Sequence, residues 1–111
     1  VREDVAELVA GQAGLLENQI AALDQATGQR RTRIRQIEDQ VRGIAAQQAA
    51  IDAQIALLEA DLATQRDLLS QGLTQSARVL STERELAGLR GRAGELLSSR
   101  SEAAGRITET E

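Results

Sequence analysis

Apolar residues recur in two stretches of the chain at alternating intervals of three and four residues. The first stretch forms one helical seam, which is apolar except at two glutamines: Ile34, Ile37, Val41, Ile44, Gln48, Ile51, Ile55, Leu58, Leu62, Gln65 and Leu69. The second seam is apolar except at a threonine and an arginine: Val79, Thr82, Leu86, Leu89, Ala93, Leu96, Arg100, Ala103 and Ile107. This heptad spacing is typical of helices that pack in a coiled coil, so two such helices are predicted.

The first heptad pattern continues toward the N-terminus in the same phase. It passes through Arg30 and Thr27, and then through Leu23, Ile20, Leu16, Ala13, Val9 and Ala6. Gly28 leaves two interpretations open. The helix breaks near residues 27–29, or it runs on, because glycine inside a helix costs only about 1 kcal/mol.

Between the two patterns lies a break at residues 70–75. A short connection between heptad helices makes them antiparallel neighbours, so the fold class is all-α: a long antiparallel coiled-coil helical hairpin. One domain over 1–111 is predicted, with a helix at about 3–70, a tip loop at about 71–75 and a helix at about 76–109. Ser76, or else Thr74, is the expected N-cap of the second helix, and Gly72 the expected left-handed residue of the turn.

Folding the chain at Gly72 sets the register. Leu62 falls near Leu86, Leu58 near Leu89, and Ile51 near Leu96. The polar seam positions then meet each other, as the pairs Gln65–Thr82 and Gln48–Arg100. Polar residues at seam positions specify register at some cost in stability.

The two arms of this hairpin are unequal, because the second is shorter. The seam residues Val9, Leu16, Ile20 and Leu23 therefore have no partner within the hairpin. The segment must fold back, meet another chain, or belong to a longer hairpin whose return arm lies outside the sequence. Apolar stripes of that length are rarely left exposed, so we expect chain-to-chain association. The sequence begins at Val1 without an initiator Met, and we expect a fragment whose membrane anchor lies outside it.

Composition supports an elongated rod. The 111 residues include no Cys, Pro, Met, His or aromatic residue, and 41% are hydrophobic. A compact core usually draws on aromatic side chains. Without His, Cys or Tyr the usual nucleophile–base pairs are missing, so no catalytic, cofactor-binding or metal-binding residues are predicted, and no enzyme.

The net charge of −4, with both signs interspersed, gives no electrostatic reason to expect nucleic-acid binding. A local basic cluster is formed by Arg30, Arg31, Arg33 and Arg35. A nucleic-acid-binding zipper would use such a cluster. A solvated helix face, partly neutralised by Glu38 and Asp39, is the interpretation that the overall acidity favours.

The break is also the candidate functional site. It consists of Leu68, Leu69, Ser70, Gln71, Gly72, Leu73, Thr74 and Gln75. A plain turn and a docking tip are both open interpretations. Leu73 favours the docking tip, because a turn does not need an exposed leucine.

The stretch from Leu68 to Gly91 resembles the periplasmic adaptor (membrane fusion) subunits of type I secretion systems, of the haemolysin- and protease-secretion (HlyD/PrtE-like) group. Hairpins of that group carry a leucine pair, Gly-Leu, an Arg-hydrophobic-Leu triplet and a Glu-Arg-Glu run. Their counterparts here are Leu68-Leu69, Gly72-Leu73, Arg78 to Leu80, and Glu83 to Glu85. The sequence departs from the group at Thr74, where an apolar β-branched residue is common, and at Gln75, where Ser is frequent.

The resemblance implies a hairpin that bridges an inner-membrane ABC transporter to an outer-membrane TolC-like channel, with its tip on the channel. It also implies a homo-oligomeric ring in the periplasm, anchored in the inner membrane of a Gram-negative bacterium. The alternative that the heptads leave open is a generic structural coiled-coil scaffold without a channel partner.

Overall fold

Two helices and one reversal make up the protein. The computed structural model describes residues 2–111, with helix α1 at Arg2–Ser70 and helix α2 at Ser76–Thr110. The helices pack side by side into a rod whose extents are 105 × 14 × 13 Å. Because a helix rises about 1.5 Å per residue, the 69 residues of α1 account for the whole length of the rod. The predicted all-α hairpin with unequal arms is confirmed.

Helix α1 passes through the glycine that interrupts its heptads. Gly28 lies inside the continuous helix, and the Thr32 hydroxyl donates a hydrogen bond of 3.0 Å to the Gly28 carbonyl. Gly28 therefore ends no helix. The modest cost of one interior glycine is small beside the many intact helical hydrogen bonds on both sides of it.

A single layer of side chains forms the core between the helices. Its buried apolar members are Ile37, Ile51 and Leu62 of α1 with Val79, Leu86 and Ala103 of α2. The densest part lies next to the reversal, where Leu62, Val79 and Leu86 form one cluster and Leu86 is only 3% exposed. Burying one such side chain contributes about 1.5–3 kcal/mol, so this end of the rod is the best packed.

The polar seam residues pair in the predicted register. The Thr82 hydroxyl donates to Gln65 Oε1 at 3.0 Å, in a buried position where Gln65 is 4% exposed. Gln65 Nε2 in turn donates to Asp61 Oδ2 at 2.8 Å. Farther from the reversal, Arg100 Nη1 donates to Gln48 Oε1 at 3.1 Å. Both predicted polar pairs are therefore confirmed, and with them the register.

Ion pairs on one flank reinforce that register. Arg66 Nη2 lies 2.9 Å from Glu83 Oε1, and Arg90 Nη2 lies 2.9 Å from Glu59 Oε1. These side chains are at least two-fifths exposed, and exposed pairs contribute little, typically about 0.2–1 kcal/mol each. Their value lies in specificity, because a slipped register would separate each pair.

The buried Thr82–Gln65 hydrogen bond gives a stability prediction. We expect Thr82→Val to lower the free energy of unfolding by about 1–3 kcal/mol, because the change leaves a buried amide oxygen unpaired. The double change Thr82→Val with Gln65→Leu should recover most of that loss, since both polar partners are then gone. Urea denaturation of the unchanged protein, Thr82→Val, Gln65→Leu and the double variant measures this coupling. Additive effects of the two changes would contradict it.

Candidate functional site

The tip of the hairpin begins with a hydrogen-bonded cap on α1. The Leu73 N–H donates to the Leu68 carbonyl at 2.9 Å, and the Gly72 N–H donates to the Leu69 carbonyl at 3.0 Å. This pair of bonds is the Schellman motif, which satisfies the last carbonyls of a helix. The motif needs a left-handed residue at its first position beyond the helix, and Gly72 has φ +72°. The sequence prediction for Gly72 is confirmed.

Leu73 takes the place in this motif where an apolar residue often folds back against the last turn of the helix. Here that contact covers little of it, because Leu73 is 68% exposed while Leu68 is half-buried. The cap therefore fixes the backbone of Leu73 and leaves its side chain at the end of the rod, in solvent. This is the arrangement that a docking residue requires.

The remaining tip residues divide into two groups. Leu69 packs against the core cluster and supports the reversal from inside, and Thr74 is half-buried. Ser70 and Gln71 are exposed, and both hydrogen-bond to Asp67: the Ser70 hydroxyl to its carbonyl at 2.6 Å and Gln71 Nε2 to Oδ2 at 3.1 Å. The outward surface of the tip is thus Leu73 surrounded by small or amide groups.

The predicted N-cap of α2 is wrong. Neither Ser76 nor Thr74 caps the helix: the N-cap is Gln75, with an extended backbone (φ −95°, ψ 144°) and no side-chain hydrogen bond to the first turn. Instead the Arg78 N–H donates to the Gln75 carbonyl at 3.1 Å. The reason is geometric. The helix starts where the chain leaves its extended conformation, and the reversal holds the chain extended only as far as Gln75.

Sequence reasoning missed the ion pair just behind the tip. Arg66 and Glu83 join the two helices within about two turns of the reversal, although the sequence singles out Glu83 only as part of a Glu-Arg-Glu run. The predicted register contained the signal, because it places both residues at the same height on one flank. The pair ties the two helices together close to the tip.

The part of the chain that the structure describes presents exposed surfaces and no enclosed reactive site. In residues 2–111 there is no cluster of three or more His, Cys, Asp or Glu side chains spaced to hold a metal ion. Within that same range neither helix has a segment that is both long enough and apolar enough to cross a bilayer. What the arrangement offers is a stiff rod with a small exposed end.

Comparison with known families is informative over almost the whole chain. A family model described as "AprE, long alpha-helical hairpin" matches residues 2–111. The match covers both helices and the reversal, so it concerns the entire hairpin. No curated protein and no solved structure gives a significant match.

Two glycines test the cap. We expect Gly72→Ala to destabilise the hairpin by about 1–2 kcal/mol, because a side chain is disfavoured in the left-handed conformation. Gly91→Ala is the matched control. Gly91 lies inside α2, where an added Cβ would meet nothing within 4 Å, so the change should stabilise by about 0.5–1 kcal/mol. Thermal unfolding followed by circular dichroism compares them, and equal shifts in Tm would contradict the assignment of the cap.

Proposed function

The chain belongs to the AprE long alpha-helical hairpin family, and on that premise we propose that it is the channel-docking hairpin of a type I secretion adaptor. AprE is such an adaptor, so the family supports a secretion-adaptor hairpin with a structural, non-enzymatic role. The narrower HlyD/PrtE-like assignment stays a prediction. In the proposed role the rod bridges an inner-membrane ABC transporter to an outer-membrane TolC-like channel, and its tip contacts the channel.

One observation carries the docking proposal: a large apolar side chain stands exposed on a fixed backbone at the extreme end of the rod. Leu73 is held by the Schellman bonds from Gly72 and from its own N–H. Ordering a flexible loop on binding costs free energy, and a preorganised loop avoids much of that cost.

The body of the rod suits the bridging part of the proposal. Its length of 105 Å comes from one uninterrupted helix, and α2 braces the half nearest the tip. One flank carries exposed Arg–Glu pairs, a polar surface that suits lateral packing against polar neighbours. We propose on this basis that several copies stand side by side in a periplasmic ring, held to the inner membrane by segments outside residues 1–111.

Replacing the exposed tip leucine tests the proposal. Leu73→Asp should weaken binding to a purified TolC-like channel by at least about 30-fold, the effect of losing one hot-spot side chain. Leu57→Asp is the matched control: Leu57 is 72% exposed but lies on the body of the rod, so its replacement should leave binding within about twofold. Biolayer interferometry with the channel in detergent gives both affinities.

Secretion provides a second readout for the same two variants. Cells whose adaptor carries Leu73→Asp should lose export while helicity stays intact, since Leu73 contributes little to the core. If Leu73→Asp and Leu57→Asp bind the channel equally well, the tip is not the docking site. The generic scaffold then becomes the better description.

A further inference from the structure

The most exposed large apolar side chain of residues 2–111 lies on the body of the rod. It is Leu57, which is 72% exposed and projects from the outer face of α1, away from the seam that packs on α2. Between residues 49 and 60 the other positions of this outer face are all exposed alanines: Ala49, Ala50, Ala53, Ala56 and Ala60. A charge-free apolar surface with one projecting leucine is typical of an interaction surface.

The outer face of α2 has a shallow depression on the opposite side of the rod. Between residues 87 and 98 its positions are small and exposed except for the charged Glu95 at its edge: Ala87, Gly88, Gly91, Gly94 and Ser98. Each glycine inside a helix costs about 0.5–1 kcal/mol relative to alanine. An added Cβ at any of the three would meet nothing within 4 Å, so packing within the chain does not account for them.

The register of the hairpin places the leucine and the glycines at the same height. Gln48 lies beside Arg100, and Leu57 and Gly91 are each nine residues closer to the tip than one member of that pair. Leu57 and Gly91 are therefore level, on opposite sides of one rod. Copies related by rotation about an axis parallel to the rod keep equal heights, so the leucine of one copy comes level with the depression of the next.

We infer that the outer face of α1 in one copy packs on the outer face of α2 in a neighbouring copy. Leu57 then sits among Gly88, Gly91 and Gly94 of the neighbour, where the missing side chains let the two helices approach closely. The contact joins two different faces, and such a heterologous contact closes into a ring when the rotation allows it. The inference rests on the proposed function, because it identifies the contact between neighbouring copies of the proposed ring.

Charge complementarity selects this contact between unlike faces. Toward the tip, the outer face of α1 continues with exposed Asp67 and that of α2 with exposed Arg84. At equal heights these two side chains lie within about one helical turn of each other along the axis, and neither is in an ion pair within residues 2–111. Like faces of two parallel rods would instead bring two Asp67 or two Arg84 side chains together. The flank of Arg–Glu pairs borders the contact as a polar rim.

Two variants that block opposite sides of the contact test it by complementation. Leu57→Asp charges the α1 face, and Gly91→Leu fills the depression on α2. Each alone should weaken self-association by at least about 30-fold in sedimentation equilibrium, and both should fold, because neither position belongs to the core. Mixed in equal amounts, they should form a heterodimer with the affinity of the unchanged contact, since one intact α1 face then meets one intact α2 face. A mixture that stays monomeric overturns the inference.

A second exposed leucine is the matched control. Leu97 is 57% exposed but lies on the flank of the rod, at the rim of the contact. Leu97→Asp should therefore leave self-association within about twofold, as is usual for rim positions. Equal effects of Leu57→Asp and Leu97→Asp on the dissociation constant would overturn the inference. So would an unchanged protein that is still monomeric at about 1 mM, a typical effective concentration for tethered partners.

The tip variant separates this inference from the docking proposal. Leu57→Asp should lose self-association and keep the binding of a monomeric hairpin to the channel, whereas Leu73→Asp should do the reverse. If Leu73→Asp still binds the channel while Leu57→Asp abolishes self-association, only the docking proposal fails. If Leu57→Asp self-associates normally while Leu73→Asp loses the channel, only the lateral contact fails.

Discussion

The register between the two helices is the constraint on which the rest of the structure depends. The buried hydrogen bond from Thr82 to Gln65 fixes it chemically, because each group is costly to bury without the other. The apolar seam alone would tolerate a slip of one heptad at modest cost. With the buried Gln65–Thr82 pair in place, a slip leaves the Gln65 amide buried without its hydrogen-bond partner. The slip also separates the Arg66–Glu83 and Glu59–Arg90 ion pairs.

This register determines what the molecule presents to its surroundings. The Gln65–Thr82 pair and the Leu62–Val79–Leu86 cluster lie just behind the reversal. The tip is therefore next to the best-packed part of the rod. Two Schellman hydrogen bonds hold the backbone at Leu73, although its side chain is exposed. At the other end, the large apolar side chains of α1 from Val5 to Leu23 are half exposed or more within residues 2–111. A one-layer core has no room for an enclosed site, so the proposed function is a matter of surface contact.

Much of this architecture could be predicted from the sequence. Two heptad patterns predicted the helices, and the coincidence of their polar seam positions predicted the pairs Gln65–Thr82 and Gln48–Arg100. The left-handed Gly72 also followed, since a reversal so short needs one such residue. These features are local or periodic, and the sequence encodes both kinds directly.

Other features depend on the exact path of the reversal. Gln75 rather than Ser76 caps α2 because the turn decides where the extended chain ends, and capping preferences of about 1 kcal/mol are too weak to overrule it. The sequence places Leu69 among the candidate docking residues, but in the structure Leu69 packs against the core cluster. That contact depends on how the last turn of α1 faces Val79. The exposure of Leu73 was expected from its position. The fixed backbone of Leu73 was not expected, because it depends on both Schellman hydrogen bonds forming.

The most direct test of the register is a distance between spin labels on the outer faces of the two helices. Ala49→Cys and Ser98→Cys lie at the same height on the rod and are both exposed, and dilution with unlabelled protein isolates the distance within one chain. Helices in contact lie about 10 Å apart, so with labels the hairpin predicts about 20 Å. A single straight helix would give about 74 Å, from 49 residues at 1.5 Å each. That distance, or one lengthened by a heptad slip, would contradict the hairpin register.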